Sequence, residues 1–89
     1  MHSTSNQLFV AYLGGDPPPG RMGEDHEIVL VVAADIASAR AAARKKWSGT
    51  TRAHVDAIRP VSAVDGFRIL LEATSDVFED EIDLSLIHI

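Results

Sequence analysis

The sequence predicts an α+β domain of order ββαββ, with one helix packed on a mostly antiparallel four-stranded sheet. Three observations predict it. One alanine- and arginine-rich stretch, 35–47, has helical spacing and helix-end signals. Short runs of branched and aromatic residues lie on both sides of it. Turn-forming residues fall between those runs: Gly14-Gly15, Pro17-Pro18-Pro19-Gly20 and Asp65-Gly66.

The elements follow in order. Leu8 to Leu13 is an apolar run that reads as a buried strand, stopped by Gly14-Gly15-Asp16. The three prolines after it cannot join a ladder and form a loop. A polar cluster, Glu24-Asp25-His26-Glu27, leads into Ile28-Val29-Leu30-Val31-Val32-Ala33. That second strand is almost wholly branched, as in a strand covered on both faces. Asp35 then caps the helix, which carries alanines among Arg40, Arg44, Lys45 and Lys46. The cations of its last turn meet the negative end of the helix dipole, and Gly49 is a natural stop. Ile36, Ala39, Ala43 and Trp47 recur at helical spacing and form its apolar face, with Trp47 sealing the end. His54 to Arg59 alternates polar with apolar residues and ends before Pro60. The Asp65-Gly66 turn joins it to a fourth strand, Phe67 to Glu72.

The single domain spans residues 8–73, after a frayed segment 1–7. Residues 74–83 read as an acidic linker. Leu84-Ser85-Leu86-Ile87-His88-Ile89 is what a transposon adapter of short-read libraries encodes, so the last six residues are read as foreign to the native chain.

Composition narrows the function classes. The formal charge of −5 argues against general nucleic-acid binding, which rests on phosphate neutralisation. With no cysteine, disulfides, thiolate catalysis and cysteine-bound zinc are excluded. No apolar run approaches the roughly 20 residues of a membrane span, and residues 1–7 lack a signal-peptide pattern, so the expected location is cytoplasmic. Eighty-nine residues bury a modest core, which suits a chain that leans on a partner.

Leu13-Gly14-Gly15, the Glu24-x-His26-Glu27 step, Trp47, the His54-x-Asp56 step and the Val64-Asp65-Gly66-Phe67 turn form a series of short motifs. In this order they resemble a bacterial family, the domain of unknown function numbered 1543. These landmarks span residues 8–72. The resemblance implies no activity. It implies that some relatives carry the module twice, which would fit a fragment holding one copy.

Topology suggests where a site would lie. A strand–helix–strand crossover makes the second and third strands parallel, so His26 and His54 begin at one end of the sheet. The first strand runs the other way and delivers Gly14 and Gly15 there; the fourth delivers Glu72. The candidate ligand-binding rim is therefore Gly14, Gly15, Glu24, His26, His54 and Asp56, joined by Glu72. His54 and Asp56 share a face. Two imidazoles and a carboxylate suit a divalent metal, with His26 and His54 as its ligands. A histidine oriented by Asp56 or Glu24 suits a general base. Against both stands a structural role, in which the histidines merely satisfy loop carbonyls. No serine or threonine pairs with either histidine as a nucleophile, so an enzyme is not the expectation. The sequence is read first as a non-catalytic interaction module that self-associates or pairs with a second copy. The alternative is a small-ligand or metal-binding domain using the His26/His54 rim, with a divalent metal as its one candidate cofactor.

Overall fold

The computed structural model describes residues 5–16, 19–20, 22–49 and 52–75. The segment read as adapter translation lies outside them, as does most of the acidic linker. Strand β1 spans Gln7–Gly15, β2 Asp25–Ala33, helix α1 Ile36–Lys45, and β3 His54–Pro60. Two short strands follow, β4 (Ala63–Val64) and β5 (Phe67–Arg68).

The class is α+β, and one helix covers a sheet as expected. The sheet has three strands in the order β2-β1-β3. Both outer strands are antiparallel to β1, so β2 and β3 are parallel to each other with β1 between them. The expected fourth strand does not join this sheet. β4 and β5 form a separate two-stranded ribbon, closed by Asp65 and Gly66, both at positive φ. That is the backbone a two-residue hairpin turn requires. The turn was read correctly, but the strands it joins are two residues each, and residues 69–75 have no regular structure. Phe67 and Leu70 are exposed there, so no alternation of buried and open positions anchors a longer strand.

The glycines expected to end β1 continue it instead. Gly14 pairs with His26 on one side and His54 on the other, and Gly15 pairs with Asp25. With ladders on both sides, hydrogen bonding holds the strand without help from side chains. For the same reason β2 begins at Asp25, inside the polar cluster read as a lead-in.

Alternation divides the sheet. Phe9, Ala11 and Leu13 of β1, and Val29, Val31 and Ala33 of β2, face the helix and are buried with Ala39, Ala43 and Ala53. Trp47, Val55 and Ile58 pack against this core. Small helix residues let α1 lie close on the strands. Ile36, expected on the apolar face, is 46% exposed, because the buried stripe runs through Ala39 and Ala43. Asp35 caps the helix as predicted: its carboxylate accepts from the Ser38 N–H at 2.8 Å. Fully buried Glu27 accepts from the Ser48 hydroxyl and, at 3.4 Å, from the Ser48 N–H, tying the post-helix loop to β2. Lys46 donates to the Leu30 carbonyl of edge strand β2 at 2.6 Å, which occupies an acceptor a foreign strand could use.

Candidate functional site

The other sheet face carries Leu8, Val10 and Tyr12, all half-buried, and then Gly14. Beside them on β2 lie His26, Ile28, Leu30 and Val32. Because both histidines pair with Gly14, they stand on either side of a residue with no side chain. Their rings occupy the space a side chain would fill. A Cβ added to Gly14 would lie 2.8 Å from His54 Nε2, 3.0 Å from Asp56 Oδ2 and 3.1 Å from His26 Cδ2.

Asp56 reaches this space through a bulge. Tyr12 pairs with Ala57 and Leu13 with Val55, which leaves Asp56 as the extra residue of β3. The bulge keeps His54 and Asp56 together over Gly14 and returns Ile58 to the helix side, opposite Ala11.

Glu24, just before β2, completes the group. His26 Nε2 lies 3.3 Å from Glu24 Oε1 and 3.9 Å from Asp56 Oδ2. His54 Nε2 lies 3.3 Å from Glu24 Oε2 and 3.2 Å from Asp56 Oδ1. The four side chains thus form a ring in which imidazole and carboxylate alternate, and each carboxylate turns one oxygen to each histidine. Among the described residues, no group of three or more His, Cys, Asp or Glu side chains stands arranged to hold a metal ion; the contacts close in pairs around the ring.

Hydrogen counting defines what the ring lacks. A neutral imidazole carries one N–H. Placed on Nε2, that hydrogen faces two carboxylate oxygens here and serves one of them well. Four nitrogen–oxygen approaches are therefore served by two hydrogens. Two of the approaches are left without a hydrogen.

Of the expected rim, Gly14, Glu24, His26, His54 and Asp56 come together. Gly15 does not: it faces the helix, where an added Cβ would lie 3.1 Å from Trp47 Cζ2 and 3.5 Å from Ala53 Cα. Consecutive residues of a strand point to opposite faces, so Gly14 and Gly15 could not both line one site. Nor does Glu72. It lines a groove at the opposite end of the sheet with Leu8, Val32 and Val61, because no fourth strand carries it back. One neighbour of the site went unread. Tyr12 stacks on His26 with ring centroids 5.2 Å apart and planes 1° apart. Its spacing of two from Gly14 was the available signal.

Residues 21–71, more than half of the chain, match the family described as Domain of Unknown Function (DUF1543). The chain belongs to this family. Glu24, His26, His54 and Asp56 all fall within the matched stretch, and Gly14 precedes it. No curated protein and no solved structure matches the chain significantly. Among the described residues no helix is long and apolar enough to cross a membrane.

Proposed function

We propose that the chain is a divalent-cation-binding module whose ligands are Glu24, His26, His54 and Asp56. The observation that carries this reading is the ring itself: two Nε2 atoms, each facing both carboxylates, over a position with no side chain. Ligand bonds of 2.0–2.2 Å imply tetrahedral edges of roughly 3.3–3.5 Å. Three of the four nitrogen–oxygen approaches, at 3.2–3.3 Å, come close to that, and the fourth, at 3.9 Å, is longer. Capture therefore involves a rotation of side chains, which their partial exposure allows. Two imidazoles with two carboxylates suit zinc, nickel or cobalt better than calcium or magnesium, which prefer oxygen alone.

Four protein ligands leave no open position on a tetrahedral ion, so the reading is structural and not catalytic. The ion would tie the start of β2 to the start of β3 across β1, in a domain whose core is built largely from alanine and valine. Calorimetric titration with zinc alone tests it. The wild-type chain should bind one ion, and the His26→Ala/His54→Ala pair should give no heat. Equal heats from both proteins would contradict the reading.

A second reading, a self-associating interaction module, draws on a different observation. Phe67, Leu70, Val64 and Leu71 are exposed apolar residues of the ribbon and the segment after it, and all lie inside the family match. Exposed apolar surface of this kind favours association. Sedimentation at micromolar concentration should show a species heavier than the monomer, and a monomer throughout would remove this reading.

A further inference from the structure

We propose that Tyr12 is a positioning residue of the cation site, holding the His26 ring with its Nε2 edge toward Glu24 and Asp56. The inference rests on the cation reading above. Tyr12 pairs with Ile28 and Gly14 with His26, so Tyr12 is the diagonal neighbour of His26 across the β1–β2 ladder and shares its face. At that offset the two rings lie parallel, with centroids 5.2 Å apart. This is the offset-stacked arrangement aromatic rings prefer. It is the one ring stack among the described residues.

On the Gly14 side His26 has no side chain to lean on: its Cδ2 lies 3.1 Å from where a Cβ would be. The Tyr12 ring therefore holds the plane of the imidazole, and within that plane Glu24 and Asp56 face its Nε2. The two histidines are unequal in consequence. The His26 side chain is 27% exposed and stacked; that of His54 is 53% exposed and has no ring partner among the described residues. His26 is the ring-supported ligand, and its 3.9 Å approach to Asp56 is the one that has to shorten on capture. Loss of an aromatic stack corresponds to roughly two- to twelvefold in affinity.

The test uses the full chain with variants Tyr12→Ala and Tyr12→Phe, and zinc as the probe. Calorimetry should show affinity weakened several-fold, up to about tenfold, in Tyr12→Ala and close to the wild-type value in Tyr12→Phe, which keeps the stack. A second readout needs no metal. The His26 ring proton should lose its upfield ring-current shift in Tyr12→Ala and keep it in Tyr12→Phe, while the His54 proton stays in place. If Tyr12→Ala proves less stable, Tyr12→Leu keeps apolar bulk without the stack and must show the same weakening. Wild type and Tyr12→Ala binding zinc equally tightly would overturn the role of Tyr12 and leave the cation reading standing. A wild-type chain that takes up no zinc would overturn the cation reading and the Tyr12 assignment with it.

Discussion

Gly14 is the residue on which the site turns, and its contribution is the side chain it lacks. Its φ is not among the positive values, so alanine fits the backbone there. The obstacle is the space: the new methyl would press on the His54 Nε2, the Asp56 Oδ2 and the His26 Cδ2. These are tips of partly exposed side chains that can swing away. Gly14→Ala should therefore abolish zinc binding in calorimetry while leaving the thermal transition of the metal-free chain nearly unchanged. His54→Ala should weaken binding without loss of fold, since its side chain is more than half exposed. Acidification should release the ion, because protons compete with it for both imidazoles. A zinc titration repeated at falling pH checks the sign: affinity must drop. Leu13 shows the contrary pattern. It is fully buried on the helix side, one position from Gly14, and Leu13→Ala should cost about 2–5 kcal/mol of folding stability, measured by urea denaturation.

Each element shows what local sequence can and cannot reveal. The helix was legible because its signals are local: Asp35 caps it, and Arg44 and Lys45 close it. The Ser38 N–H that Asp35 accepts holds its carboxyl below the ordinary value. A depressed carboxyl stabilises the fold above its unfolded-state pKa, near 3.9, and loses that contribution as pH falls through the folded value. Asp35→Ala should lower the melting temperature at pH 7, and the gap should narrow under acid conditions below pH 4. The Asp65-Gly66 turn was legible for the same local reason. Strand order was not, because nothing in residues 7–15 says that β1 takes both neighbours. That one non-local fact turns Gly14-Gly15 from a stop into the centre of the sheet and puts the two histidines on either side of Gly14. The bulge left a trace, since Ala57 and Ile58 are adjacent apolar residues that break the alternation of β3. The expected fourth strand misled because Phe67 to Glu72 has strand-like residues but no buried face to commit them.

At the scale of the molecule, one face of the sheet is sealed by a helix and the other carries the ring at one end and half-buried apolar residues along its length. A small domain of this kind gains from a staple. A cation that binds the folded chain alone stabilises it by about 2.7 kcal/mol at 100 times its dissociation constant. Zinc should accordingly raise the melting temperature of the wild-type chain and not that of Gly14→Ala. Five of the seven candidate rim residues come together at one end of the sheet; Gly15 was lost to simple alternation and Glu72 to the fourth strand that does not form. The most direct test of the central claim is zinc K-edge X-ray absorption on the zinc-loaded chain. The account predicts a four-coordinate ion with two imidazoles at about 2.0–2.1 Å and carboxylate oxygens at about 2.0–2.2 Å. A spectrum without two imidazoles, or one unchanged in the His26→Ala/His54→Ala pair, would contradict it.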